Sequence, residues 1–172
     1  MNIRELCELP EEAASEEYFK ILYNYWYSLS PGSGLLPGRQ HINPAEIIEI
    51  LGRIALVDVT YLNGKYDFHY RLWGSLMTEI IGQDCTGKSI ADLFPPEKLP
   101  LVQNAFESVV ETASPHYWQV AWGVEERDHV GYKRLLLPLA ENGENVNMIL
   151  GMIIETEKVP SSSNVHLYRK FE

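Results

Sequence analysis

The sequence is poor in cysteine, in basic charge and in long apolar runs, and each shortage removes a class of function. Cys7 and Cys85 are the only cysteines among 172 residues, far apart and at no metal-ligand or redox spacing, so both are expected as reduced thiols. Lys and Arg number 14 against 24 Asp and Glu, a net charge of −10. A sequence-neutral nucleic-acid binder displaces counterions with a basic stripe, and the longest basic clusters here are the pairs Lys133-Arg134 and Arg169-Lys170. No nucleic acid and no anionic membrane is therefore expected as a partner. No run approaches the roughly 18 consecutive apolar residues of a membrane span. The charged start of the chain also lacks the apolar core of a signal peptide, so a cytoplasmic location is expected. The histidines at 41, 69, 116, 129 and 166 show neither helical i, i+4 pairing nor a cysteine at ligand spacing, so no metal site is expected.

What is present is one ordinary globular domain's worth of apolar residues, 45% of the chain, enough for a core without staples. Residues 1–20 carry six Glu against Arg4 and Lys20. From Pro10 to Leu29 the pattern predicts a helix with Tyr18, Phe19, Leu22, Trp26 and Leu29 on one face, widened by Tyr23, Tyr25 and Tyr27. So aromatic a stripe has to cover something. It packs on the chain's own sheet or forms a surface for a homodimer or protein partner. Residues 30–38 form a Pro/Gly loop, and Asn43-Pro44 caps a short helix that Gly52 ends.

The run Ile54 to Tyr61, the turn Asn63-Gly64 and the run Tyr66 to Trp73 read as a hairpin. Short helices are predicted from Ser75 to Gly82 and after Ser89, then a longer one from Leu99 to Ser114. Three strands follow, His116 to Trp122, Tyr132 to Leu139 and Val146 to Glu155. Strands at both ends with helices between them exclude alternating βαβ units and point to an α+β antiparallel sheet. The last strand is apolar at both parities, so both of its faces should be buried. Short helices would then cover one face of the sheet and the aromatic N-terminal helix the other. Residues 1–34 are expected as a helical cap or dimerisation element, 35–158 as the domain proper and 159–172 as a flexible tail.

Gly82-Gln83-Asp84-Cys85-Thr86-Gly87-Lys88-Ser89 matches the phosphate-binding P-loop pattern letter for letter. Its context is wrong, because a P-loop joins a buried strand to a long helix. The chain before Gly82 reads as a helical turn, and Pro95-Pro96 closes the next helix early. Nucleotide binding stays a remote alternative. No nucleophile-elbow pattern occurs, so the sequence does not support an enzyme.

The passage Gly82 to Pro96, with Gly87-Lys88 and Pro95-Pro96, resembles the linker between the sheet halves of PAS domains. Several further segments match in order and spacing. They are Leu36-Pro37-Gly38-Arg39 with Asn43-Pro44, Val57-Asp58-Val59, Tyr70-Arg71-Leu72-Trp73-Gly74, Asp84-Cys85-Thr86-Gly87-Lys88, Arg134-Leu135-Leu136-Leu137-Pro138-Leu139 and Gly151. Together, over about residues 20–155, they resemble a PAS-type family of small, often stand-alone proteobacterial proteins of unknown function. The resemblance implies a PAS-like five-stranded antiparallel sheet and a sensory or regulatory role, and it leaves the cofactor unknown. Flavin-photosensing PAS domains carry a reactive cysteine where this chain has Ile90, and haem-binding ones a histidine in the region of residues 97–113, where this chain has none. Both cofactors are therefore disfavoured.

The place to look for a small apolar or aromatic ligand is a candidate pocket between the sheet and the short helices. Strand parity nominates Phe68, Tyr70, Leu72, Trp118 and Trp122 for its floor, and Met77, Ile81 and Phe94 for its helical wall. The same side chains could instead simply fill the core. Arg71 is expected in a structural ion pair with Asp58, on a face covered by a helix. His69 is expected on that same face.

Overall fold

Asn63 and Gly64 turn the chain with positive φ at both positions, 52° and 79°, the turn whose twist matches the flanking strands. The computed structural model of the protein describes residues 9, 11–32, 34–124 and 127–155, with the side chains of 11, 12 and 119–131 left aside. Residues 1–8 with Cys7, Pro10, His166 and the expected tail 159–172 lie outside the described residues. The strands are β1 (Ile54–Leu62), β2 (Lys65–Trp73), β3 (His116–Val124), β4 (Arg127–Leu139) and β5 (Met148–Glu155). They form one five-stranded sheet in the order β2-β1-β5-β4-β3, antiparallel at every pairing. β5 lies at the centre, and Met148 to Ile153 are buried at every position.

The helices divide between the two faces. Residues Glu11–Ala14 (α1) and Glu17–Ser28 (α2) cover one of them. Phe19, Leu22 and Trp26 are fully buried there against Leu135, Leu137, Leu139 and Leu150. The other face carries Ser75–Ile81 (α3), Ile90–Leu93 (α4) and Leu99–Thr112 (α5). Met77, Ile90, Phe106 and Val109 close a second core over Val57, Phe68 and Ile149. A sheet with both faces covered explains why β5 lacks a polar parity.

Two elements differ from expectation. The N-terminal helix is broken at Ser15 and Glu16, where the Glu16 carboxylate leaves the helix line and pairs with Lys133 of β4. The segment Pro44–Arg53 is 3₁₀-helical with a kink at Ile47 (φ −127°, ψ 28°). Asn43 still caps it, accepting from the Ala45 N–H at 3.2 Å and holding Glu46 at 3.0 Å. Here the β-branched residues Ile47 and Ile48 favour a tighter, irregular path while Ile47 and Ile50 bury their side chains.

Candidate functional site

The site begins with an irregularity in β2. Val57 pairs with Tyr70 and Leu56 with Leu72, so Arg71 has no partner on β1 and forms a β-bulge. One extra residue reverses the side-chain parity beyond it. Tyr70 and Trp73 consequently share the face of Val57 and Ala55, while Leu72 turns to the opposite side and is 39% exposed. Leu72, expected in the pocket from unbroken alternation, is not part of it.

A cavity of about 320 Å³ opens between this face and the helices α3 and α4. Tyr70, Met77, Ile81 and Phe94, all nominated by the sequence, line it. Phe68 and Trp118 are buried in the same core without lining the cavity. Phe68 packs instead against Phe106, with centroids 5.3 Å apart. The Trp122 side chain lies outside the described ones. Sequence reading missed Trp73, Gln83, Cys85, Phe106, Tyr132 and Arg134, which line the cavity as well.

Arg134 is the chemically distinctive member. Its residue is 8% exposed, and its guanidinium carbon lies 5.1 Å from the ring centroids of both Phe106 and Trp118. Antiparallel partners share a face, and Arg134 pairs with Trp118 on one side and Ile153 on the other, which fixes it on the cavity face. Its Nε has no hydrogen-bond partner, and neither has the buried indole Nε1 of Trp73. No Asp or Glu occurs among the described lining residues. The two rings supply cation–π attraction but no hydrogen-bond acceptor. A signal for Arg134 was available in the sequence: its same-face neighbours on β4, Tyr132 and Leu136, are apolar or aromatic, so an arginine between them has to enter the core.

Burial favours the neutral form of two other titratable groups of the lining, Tyr70 and Cys85. Burial pushes the Tyr70 phenol well above its ordinary value, against the opposing effect of the Arg134 charge. Burial likewise raises the Cys85 thiol. The lining thus offers apolar walls, neutral hydroxyl and thiol groups, and a single fixed positive charge.

Outside the cavity, Arg71 Nε donates to both carboxylate oxygens of Asp58, at 2.8 and 3.0 Å. The pair is a surface one, because no helix covers it and the side chains are 59% and 29% exposed. His69, placed by expectation beneath the N-terminal helix, is half exposed and lies 3.4 Å from Asp67. Of the interface candidates, Phe19, Leu22 and Trp26 are buried in the protein's own core, Leu29 packs partly against it, and Tyr18 is 39% exposed. The first three are therefore not available to a partner while α2 stays in place.

The P-loop look-alike has another use. The Gly87 N–H donates to the Tyr70 carbonyl, and Lys88 both donates to Cys85 and accepts from the Tyr70 N–H. Ser89 Oγ accepts from the Ala91 N–H and donates to Asp67. The Gly87 amide and the Ser89 hydroxyl, which would cradle phosphates, tie the linker to β2, and the Thr86 and Lys88 amides bond within the linker.

An antiparallel sheet with helices on both faces and a ligand-sized cavity under the short ones places the protein in the α+β class of small ligand-binding domains. The chain belongs to the PAS domain family, which its sequence matches over residues 15–154. PAS domains are generally sensory and signalling modules rather than catalytic ones. Among solved structures, the PAS domain of a protein from Colwellia psychrerythraea is similar at 17% identity and a TM-score of 0.46, with 65% of this chain and 95% of that one covered. A light-oxygen-voltage protein of Rhodobacter sphaeroides is similar at 10% identity and a TM-score of 0.46, covering 83% and 71%. A sensory box histidine kinase of Vibrio cholerae is similar at 16% identity and a TM-score of 0.41, covering 64% and 89%. No match was found among curated proteins.

Proposed function

We propose that the protein is a cytoplasmic, non-catalytic PAS sensor whose cavity takes a small organic ligand and whose output is a change in the N-terminal helices, read by a protein partner or a second copy. The observation that carries this reading is the cavity itself. A small domain ordinarily fills its core to crystal-like density, so an opening of about 320 Å³ lined by aromatic and aliphatic side chains is the expected form of a ligand site. Flavin and haem are not part of the reading: the lining holds no histidine for a haem iron, and Gln83 is its one side-chain amide for a flavin's polar edge.

The route from cavity to surface is short. Along β4, Leu136 lines the cavity, whereas its neighbours Leu135 and Leu137 support α2 on the opposite face. A ligand that shifts β4 therefore changes the surface on which α2 rests. Tyr18 and Tyr27, on the outer side of α2, remain exposed for a partner.

Native mass spectrometry of the purified protein, compared with the denatured chain, tests the reading. A small-molecule adduct that is lost on denaturation is expected, and lost also in Ala55→Leu, which fills the cavity. A protein that carries no adduct and binds none of a broad library of small organic compounds would sink it.

A further inference from the structure

We propose that the ligand of this cavity is an organic acid: a carboxylate held by Arg134 and the Trp73 indole N–H, with an aromatic or aliphatic body against Met77, Leu93 and Phe94. This rests on the cavity being a ligand site and adds the chemical class of its occupant.

The first argument is the state of Arg134. A guanidinium removed from water costs several kcal/mol unless it is paired and hydrogen-bonded, and arginine cannot escape the cost by losing its proton. Arg134 is 8% exposed, its Nε meets no acceptor, and it forms no ion pair among the described residues. The chain has 24 acidic residues from which to supply a counter-charge, yet none of the described ones lines the cavity. A cation held in this way lacks an anion that can arrive from outside.

The second argument is the imbalance of donors. Trp73 Nε1 is a second buried donor without an acceptor, and an indole N–H can only donate. A carboxylate is acceptor-only and planar, and it fits an arginine fork while keeping lone pairs for a further donor. A neutral hydrocarbon would leave both donors unmatched, and an amine would place two positive charges in one apolar chamber. Most of the remaining walls, Met77, Ile80, Leu93 and Phe94 among them, are apolar, with Tyr70, Tyr132, Cys85 and Gln83 the polar exceptions, so the body of the molecule is largely hydrophobic. The more exposed members of the lining, Ile81 and Gln83, mark the entrance.

The test uses the full chain and matched probes: phenylacetate and octanoate, each with its uncharged amide, titrated by calorimetry and by thermal shift. Both acids are expected to bind and raise Tm, with each amide weaker by about tenfold or more, which corresponds to about 1.4 kcal/mol. Arg134→Met is expected to erase that preference, and Arg134→Lys to retain part of it. Should Arg134→Met fail to fold, the arginine Nε–H resonances of the wild-type protein decide instead, because one of them must shift on saturation with phenylacetate. Amides that bind as tightly as the acids, or acid affinity unchanged in Arg134→Met, would overturn the carboxylate assignment while leaving the ligand reading intact. No binding by any probe at millimolar concentration, with no adduct on the purified protein, would overturn both.

Discussion

Trp26 Nε1 of the N-terminal helix donates a hydrogen bond of 2.8 Å to the carbonyl of Pro138 in β4. Pro138 lies beyond Leu136, where the pairing of β4 with β3 ends, so its missing N–H costs no ladder bond and its carbonyl is left for the indole. One contact thus satisfies a buried polar group on each element and fixes the helix on its own sheet.

The consequence is measurable as stability. Trp26→Ala is expected to cost about 3 to 5 kcal/mol by opening a void in a fully buried position. Trp26→Phe, which keeps most of the volume and loses the donor, should cost about 1 to 3 kcal/mol. Tyr27→Ala, at a residue 52% exposed, should stay within about 0.5 kcal/mol. Urea unfolding checks all three. Equal and small effects would mean that the helix is not held in cis.

The bulge at Arg71 shows where reading the sequence stops. The positions of the strands along the chain and the burial of β5 follow from apolar periodicity, and Asn63-Gly64 marks its hairpin locally. Tyr70, Met77, Ile81 and Phe94 were reachable for the same reason, since parity and helical spacing are short-range properties. Leu72 and Trp73 exchange roles because one residue is inserted in the pairing of two strands, a tertiary event that alternation does not encode. Arg134 escaped for a different reason: a charge beside Lys133 looks like a surface pair until the sheet assigns the two residues to opposite faces. Lys133 reaches Glu16 on one side and Arg134 enters the cavity on the other.

The Arg71–Asp58 pair should contribute little despite its good geometry. Both carboxylate oxygens accept from one Nε, and Arg71 is mostly in water, so screening and side-chain entropy offset the attraction. Arg71→Ala is expected to cost less than about 1 kcal/mol, with the difference shrinking further in 1 M salt. A larger, salt-independent loss would show that the arginine acts through the bulge itself.

Gly74 predicts the reverse, a large effect from one methyl group. A Cβ built on Gly74 would lie 2.3 Å from the Gly52 carbonyl oxygen, and the Gly74 N–H donates to the Ile54 carbonyl at 2.9 Å. The obstruction is backbone and cannot rotate away. Gly74→Ala should therefore destabilise by about 2 to 3 kcal/mol, read as a lower urea midpoint, whereas a neutral outcome would mean that the end of the segment Pro44–Arg53 and the start of α3 part easily.

Stability should also decline in alkaline solution through two cavity groups. Burial raises the pKa of Cys85 and, more strongly, of Tyr70 above their ordinary values. For such groups the folded state holds the proton more tightly, so the contribution is complete below the unfolded pKa and is lost as pH rises toward the folded one. The decline should begin as pH passes about 8.5, the ordinary thiol value, and steepen near about 10, that of a free phenol. Urea midpoints followed against pH should fall less steeply in Cys85→Ala over the first range and in Tyr70→Phe over the second. Curves parallel to wild type would show that these groups are ionised equally in both states.

The P-loop look-alike gives a last contrast, between a motif read as letters and the same motif in its fold. Gly87 has φ 78°, a conformation that glycine adopts without strain, and its N–H is spent on the Tyr70 carbonyl at 2.6 Å. Lys88 Nζ lies 3.5 Å from the Gln83 side chain. The residue is partly buried, and the amides of Thr86, Gly87 and Lys88 already have acceptors. Lys88→Ala is therefore expected to leave the unfolding curve within about 0.5 kcal/mol of wild type, whereas Gly87→Ala should lose about 1 kcal/mol or more through strain at positive φ. Equilibrium dialysis with magnesium and ATP should show no binding for wild type or either variant. Saturable ATP binding that Lys88→Ala removes would mean that the linker can release β2 and close on phosphate.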